Sequence, residues 1–169
     1  MQVPSDALIV LIGAAASGKS AFAKRNFPDD TIVSSDALRA SLGVGRPASR
    51  RFDVFDELAE LIERRMAAGA LTVVDATNTD WMRRSQLIEM ARRHGRPAIA
   101  IVFDLPVGEC LARNAARRQR VPTSVIHRQA AEISRDLERL DLEGFSAVHV
   151  LHGHDEIHSA QASLLTTGR

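Results

Sequence analysis

Residues 13–20 combine the amino-acid types that bind a nucleotide phosphate. The segment reads Gly-Ala-Ala-Ala-Ser-Gly-Lys-Ser and matches the pattern G-x-x-x-x-G-K-[ST] in full. It follows an apolar run at Ala7–Ile12, predicted to be a strand, and it opens a predicted helix, which is the context this motif requires. The glycines let backbone N–H groups face phosphate oxygens, the lysine adds a positive charge, and the final serine offers a hydroxyl to Mg²⁺. We therefore expect ATP and Mg²⁺ as cofactors, bound by Gly13, Ala14, Ala15, Ala16, Ser17, Gly18, Lys19 and Ser20.

An acidic and a basic residue follow the second predicted strand, Thr31–Val33. Asp36 lies just beyond the carboxyl end of that strand, and Arg39 follows about one helical turn later on the same face. Transfer of a phosphoryl group to a hydroxyl needs a carboxylate that orients and deprotonates the hydroxyl. We predict this catalytic role for Asp36, assisted by Lys19, and a contact with an anionic part of the acceptor for Arg39. The alternative is that Asp36 only caps the N-terminus of a helix.

A second carboxylate, Asp75, ends the third predicted strand, Leu71–Val74. An acid in this position, in a protein with such a loop, usually helps the loop hydroxyl to organise Mg²⁺. We therefore predict a metal site formed by Ser20 and Asp75. The alternative is that Asp75 is a strand-end cap or a turn residue.

Three arginines recur at spacings of four and three, which would place them on one face of the predicted helix Pro106–Arg118 and its extension. Arginines on a mobile helical lid can cover the donor phosphates and stabilise charge in the transition state. We predict a lid over about residues 106–125, hinged at Val121-Pro122. The alternative is a solvated basic face. The predicted cofactor-binding arginines are Arg113, Arg117 and Arg120.

Three further features carry weaker signals. The histidine-rich segment His152–His158 is interpreted as a surface turn rather than a metal site. Trp81 is predicted to lie in the core rather than to stack on a nucleobase. The basic stretch Arg46–Arg51 either guides a polyanion or is simply solvated.

Five short apolar runs alternate with longer helical patterns. The runs lack clear polar–apolar alternation, which is typical of strands covered on both faces. This order predicts a parallel sheet with right-handed crossovers and helices on both faces. Ligands of such sheets bind beyond the carboxyl ends of the strands, where the polar residues above lie. The remaining predicted strands are Ala98–Phe103 and Ala147–Leu151, and the predicted helices are Phe52–Ala68, Asp80–His94, Pro106–Arg118 and Pro122–Leu140.

Composition limits the class of protein further. The 169 residues are 45% hydrophobic and 25% charged, as expected for one soluble globular domain over residues 1–169. The formal net charge of +1 means that an anionic partner must bind a local patch. A single cysteine excludes an internal disulfide framework, and the longest apolar run is far too short to span a bilayer. We expect a cytoplasmic protein without a membrane partner. The chain contains no N-K-x-D motif, which argues against a switch GTPase.

Taken together, these motifs resemble the polynucleotide 5′-hydroxyl kinase family, the kinase module of phage and bacterial end-healing enzymes. The phosphate loop, Ser35-Asp36-x-x-Arg39, Val74–Asn78 and Arg113-Asn114-x-x-Arg117 occur in the family's order and at similar spacings. The resemblance implies an α/β P-loop fold of the nucleoside-kinase type, with about five parallel strands and a helical lid. It also implies transfer of the γ-phosphate of ATP to the 5′-OH end of DNA or RNA. Asp36 would be the general base, and Arg117 and Arg120 would clamp the donor.

The chain also departs from the family pattern. A D-x-D-G-T phosphatase signature is absent, so we expect separate phosphatase or ligase chains where further end repair is needed. The runner-up hypothesis is a kinase of a small hydroxylated molecule such as a sugar, an antibiotic or a nucleotide sugar. A third hypothesis is a nucleotide-binding partner or switch without catalytic activity.

Overall fold

A central five-stranded parallel sheet organises the chain in the computed structural model, which describes residues 1–42 and 53–165. The strand order is β3-β4-β2-β5-β6. The chain thus adds two strands on each side of the central strand β2, and helices cover both faces of the sheet. The strands are β2 Leu8–Gly13, β3 Ile32–Ser34, β4 Thr72–Asp75, β5 Ala98–Asp104 and β6 Ala147–His152.

Within the described residues, seven α-helices connect or flank these strands. They are α1 Lys19–Asn26, α2 Ser35–Leu42, α3 Asp53–Ala67, α4 Trp81–Arg93, α5 Val107–Ala115, α6 Thr123–Asp136 and α7 Gly153–Ser159. Two 3₁₀ helices, Asp29–Thr31 and Leu137–Leu142, complete the described helical segments. None of the helices in the described residues is long and apolar enough to cross a membrane.

The central strand β2 explains the absence of alternation in the sequence. All six of its residues are buried, because β4 and β5 flank it and helices cover both of its faces. A strand with no solvent-exposed face requires apolar side chains at every position. All five predicted strands are confirmed within one residue at each end.

The helix predicted over Pro106–Arg118 is shorter than expected. It ends at Ala115 because buried Asn114 turns the chain back: its side-chain Nδ2 donates to the Val121 carbonyl at 2.8 Å, and its Oδ1 accepts the Val121 amide at 3.0 Å. Arg117 and Arg120 therefore lie beyond the helix. The prediction that they share a helix face with Arg113 is wrong.

Other boundaries and positions also differ from expectation. The helix predicted to run to Leu140 changes to 3₁₀ geometry after Asp136. Trp81 is not in the core, because it is the first residue of α4 and its side chain is 60% exposed. The basic stretch Arg46–Arg51 lies outside the described residues.

Sequence patterns also missed two elements near the chain ends. Strands β1, Gln2–Pro4, and β7, Ser163–Leu165, pair in parallel as a separate two-stranded sheet. The histidine-rich segment is helix α7 rather than a turn. Among residues 1–42 and 53–165, no group of three or more His, Cys, Asp or Glu side chains could hold a metal ion.

Arg84, which is only 1% exposed, joins distant parts of the fold. Its guanidinium donates to the Asn78 and Thr79 carbonyls at 3.1 and 2.7 Å, just after β4. It also pairs with Asp136 at 2.9 Å and with Glu143, whose Oε2 lies 2.7 Å from Nε. Burial opposes the charged form, but the bonds to both carboxylates raise the pKa of Arg84, so the group stays cationic.

Replacing Arg84 with leucine is expected to lower the free energy of unfolding by about 3–5 kcal/mol, because two partly buried carboxylates lose their cation. Urea denaturation followed by circular dichroism measures this change. The matched control is Arg92→Leu on the same helix, which breaks an exposed pair with Glu89 and should cost less than about 1 kcal/mol. Similar losses in the two variants would contradict a structural role for the Arg84 network.

Candidate active site

A cleft of about 900 Å³ opens at the carboxyl edge of the sheet. It extends from the phosphate loop, past the starts of α2 and α4, to a wall formed by α3 and α4. The predicted site residues Lys19, Ser20, Asp36, Arg39 and Asp75 all line it. The structure therefore brings together residues from three separate segments of the sequence.

Glycine at two positions allows the phosphate loop to adopt its shape. Gly18 has φ of 105°, a left-handed conformation that other residues rarely adopt. A Cβ atom at Gly13 would lie 2.6 Å from the Ser17 Oγ and 3.0 Å from the Phe103 Cβ. Gly18 also precedes α1 without any side-chain cap, so the first N–H groups of that helix remain available to an anion.

The Lys19 ammonium is bound to the loop itself. It donates to the carbonyls of Gly13 and Ala14 at 2.9 and 2.7 Å, and to the Ser17 Oγ at 3.3 Å. Burial lowers the pKa of Lys19 to about 8, while the negative charge of Asp75 opposes that shift. The protonation of Lys19 therefore changes near pH 8.

The loop is fixed to the segment that follows β4. The Gly13 amide donates to the Thr77 carbonyl at 3.0 Å, and the buried side-chain amide of Asn78 donates to the Leu11 carbonyl at 2.7 Å. Asn78 has φ of 48°, which places it in the left-handed region that asparagine tolerates. These contacts hold the carboxyl ends of β2 and β4 side by side.

Asp36 lies in the first turn of α2 and faces the cleft. Its Oδ1 accepts a hydrogen bond from the Arg39 Nη1 at 2.8 Å, and the two side chains are 81% and 57% exposed, respectively. The Ala37 amide donates instead to the Ser34 Oγ at 3.4 Å. This contact weakens the capping alternative, because Ser34 rather than Asp36 accepts an amide at this helix end.

Asp75 and Ser20 supply an oxygen donor pair suited to Mg²⁺. Asp75 ends β4 and is 8% exposed, Ser20 is exposed, and both residues line the cleft. A carboxylate and a hydroxyl are the hard oxygen ligands that Mg²⁺ binds alongside nucleotide phosphates. The donor set fits the predicted metal.

The three predicted arginines occupy different positions. The Arg113 Nη1 would lie 3.5 Å from a Cβ at Gly18, so this residue is next to the phosphate loop, and it donates to the His154 Nδ1 at 2.6 Å. Arg117 lines the cleft, and its charge helps to lower the pKa of Lys19. Arg120 is exposed and lies outside the lining of the cleft.

Sequence reasoning missed Gln129, a nearly buried residue of α6 that lines the cleft. Its Oε1 accepts the Ala15 amide at 2.9 Å and so ties α6 to the phosphate loop. The sequence did contain a signal. Gln129 falls on the buried stripe of α6 between Ile126 and Ile133, where a polar side chain must find a partner.

The chain matches a family model described as an AAA domain, AAA_33, over residues 8–140. It belongs to this AAA domain family. The AAA domain is also 29% identical over 127 residues to an L-seryl-tRNA(Sec) kinase of Methanococcus maripaludis. That match covers 70% of this chain and 49% of the relative, so the chain spans about half the length of the curated relative.

Two solved structures confirm the predicted P-loop kinase fold. A chain of the Pnkp1/Rnl/Hen1 RNA repair complex matches with a TM-score of 0.68 at 22% identity, over 83% of this chain and 47% of that chain. A gluconokinase from Sinorhizobium meliloti 1021 matches with a TM-score of 0.54 at 19% identity, over 89% of this chain and 84% of that chain.

Nucleotide affinity is expected to weaken as the pH rises above about 8, because the neutral lysine must regain its proton to bind phosphate. The apparent Kd should rise about tenfold per pH unit well above the pKa. Calorimetric titration of the AAA domain with a non-hydrolysable ATP analogue and Mg²⁺ between pH 7 and pH 10 measures this. Lys19→Met should bind weakly and without this pH dependence. A wild-type Kd that stays constant to pH 10 would contradict the prediction.

Proposed function

We propose that this AAA domain is an ATP-dependent kinase that transfers the γ-phosphate to the 5′-OH end of DNA or RNA. The observation that carries the proposal is the position of Asp36. It is an exposed carboxylate, paired with Arg39, in the same cleft as Lys19 of the phosphate loop. A base and a phosphate cradle in one cleft are the two components that phosphoryl transfer to a hydroxyl requires.

Each proposed site residue has its own role in the reaction. Asp36 accepts the proton of the acceptor hydroxyl, whose oxygen forms the new bond to the γ-phosphorus while the bond to the bridging oxygen breaks and ADP leaves with that electron pair. Arg39 orients the acceptor. Lys19 and the N–H groups of the loop bind the donor phosphates, and Arg113 and Arg117 cover them. Ser20 and Asp75 hold Mg²⁺, which neutralises phosphate charge when bound.

Similarity to RNA-related kinases supports the polynucleotide acceptor. The Pnkp1 structure is that of an RNA repair complex, and the seryl-tRNA kinase is named for a hydroxyl group carried on RNA. The same complex contains Rnl and Hen1, which supports our expectation that separate chains provide any later end repair.

A kinase of a small hydroxylated molecule is the second candidate. It is favoured by the gluconokinase match, which covers 84% of that chain, whereas the match to the Pnkp1 complex covers 47%. The two candidates share every proposed role on the donor side. They differ in what occupies the cleft beyond Asp36.

The test is transfer of labelled γ-phosphate from ATP with Mg²⁺ to a short 5′-OH oligonucleotide, as DNA and as RNA. Asp36→Asn should lower kcat by about 10²–10⁴-fold, because the general base is lost, while the Kd for nucleotide stays unchanged. The matched control is Asp30→Asn, which alters an exposed aspartate outside the cleft and should retain wild-type activity.

Three other outcomes would redirect the proposal. Labelling of gluconate or another small alcohol, with no labelled oligonucleotide, would favour the second candidate. Full activity of Asp36→Asn would exclude this residue as the base. ATP binding with no transfer to any acceptor, and with Asp36→Asn retaining the biological role that Lys19→Ala abolishes, would indicate a nucleotide-binding partner.

A further inference from the structure

The far wall of the cleft carries an exposed stack of an aromatic ring and a guanidinium. Phe55 of α3 is 39% exposed, and the Arg83 guanidinium of α4 lies 3.4 Å from the centroid of its ring. Arg83 is itself 42% exposed, and its Nε lies 3.9 Å from the Asp80 Oδ2. Both stacked side chains line the cleft that contains Asp36 and Arg39.

The surroundings of this stack are mainly apolar. Leu58, Ile62, Leu87 and Met90 are buried and line the same end of the cleft. Met82 also lines it and is 57% exposed. Large apolar side chains left this exposed around a cleft indicate a contact surface for a ligand.

A second large side chain at the start of α4 is exposed outside the lining of the cleft. Trp81 precedes Met82 at the first position of α4, and its side chain is 60% exposed. Contacts with the protein core therefore do not explain why position 81 is a tryptophan.

The chemistry of this wall favours a flat ligand over a polyhydroxylated one. A sugar needs hydrogen-bonding partners for its hydroxyl groups, whereas Phe55, Met82 and Leu87 present apolar groups here, beside the polar side chains of Asp80, Arg83 and Gln86. Nucleobases stack on aromatic rings and on the planes of arginine guanidinium groups. The stack and Asp36 line one cleft, so a strand end that binds with its 5′-OH at Asp36 lies in the same cleft as the stack.

We propose that Phe55, Arg83 and Met82 form a stacking site for the terminal nucleobase of the acceptor strand, an inference that rests on the proposed function. The site recognises the presence of a base rather than its identity, since every base has a π-face. It therefore selects nucleobase-bearing 5′-OH ends, of DNA or RNA, over small sugars.

The experiment compares two acceptors that differ only at the 5′-terminal residue. One 5′-OH oligonucleotide begins with an ordinary adenosine nucleotide, and the other begins with an abasic tetrahydrofuran residue. For the wild-type protein, kcat/KM should be about 5- to 100-fold lower for the abasic end, mostly through KM, because one base–aromatic stack is lost.

Variants of the stack should lose this preference. In Phe55→Ala and Arg83→Ala, kcat/KM for the ordinary end should fall towards that for the abasic end, while the nucleotide Kd stays unchanged. Phe55→Leu preserves apolar packing but removes the flat ring, so it reports on stacking even where the alanine variant does not fold. The matched control is Arg92→Ala, an exposed arginine of α4 paired with the acid three residues before it, as Arg83 is. It should retain the wild-type preference.

The outcomes separate this inference from the proposed function. Equal wild-type activity on the two ends would overturn the stacking site and leave the kinase proposal intact. The stacking site would also be overturned if folded Phe55→Leu and Arg83→Ala kept the wild-type preference for the ordinary end. The same holds if Arg92→Ala lost that preference to the same extent as the stack variants. Phosphorylation of a small alcohol, with none of either oligonucleotide, would overturn both.

Discussion

The arrangement of the cleft depends on the hydrogen bond from the Gly13 amide to the Thr77 carbonyl. It joins the start of the phosphate loop to the segment after β4, and the bond from Asn78 to the Leu11 carbonyl reinforces it. Arg84 then holds the carbonyls of Asn78 and Thr79 from the opposite side. The position of Asp75 relative to Lys19 follows from this chain of contacts. A rigid backbone here suits the proposed reaction, because a shift of about 1 Å between reacting groups can cost a large factor in rate.

Helix α6 connects this centre to the more distant part of the fold. Gln129 binds the phosphate loop through the Ala15 amide, and Asp136 at the end of the helix binds Arg84. The helix is therefore fixed at its middle and at its C-terminal end. We therefore expect any movement of the predicted lid to take place before α6, and Ala116–Pro122 is the segment there without regular helix. The two hydrogen bonds between the Asn114 side chain and the Val121 backbone hold the ends of that loop together.

Local sequence determined the features that could be predicted. The continuous apolar run of β2 and the spacing of Gly13, Gly18 and Lys19 located the central strand and the loop, and strand ends located Asp36 and Asp75. Long-range contacts determined what could not be predicted. Arg84 meets partners 52 and 59 positions away, and α5 ends where Asn114 meets Val121 rather than where its helical pattern ends. Trp81 fits the apolar spacing of α4, but it is the first residue of that helix and lies outside the core.

The contacts of Lys19 have a consequence for the nucleotide binding that we propose. Because the ammonium already donates to Gly13, Ala14 and Ser17, an arriving phosphate must replace partners rather than fill an empty site. Binding at this residue is an exchange, and part of its free energy is spent on the contacts that are given up. The exchange also runs in reverse. After release of the nucleotide that we propose, Lys19 can again donate to the loop carbonyls, so the buried cation keeps its acceptors.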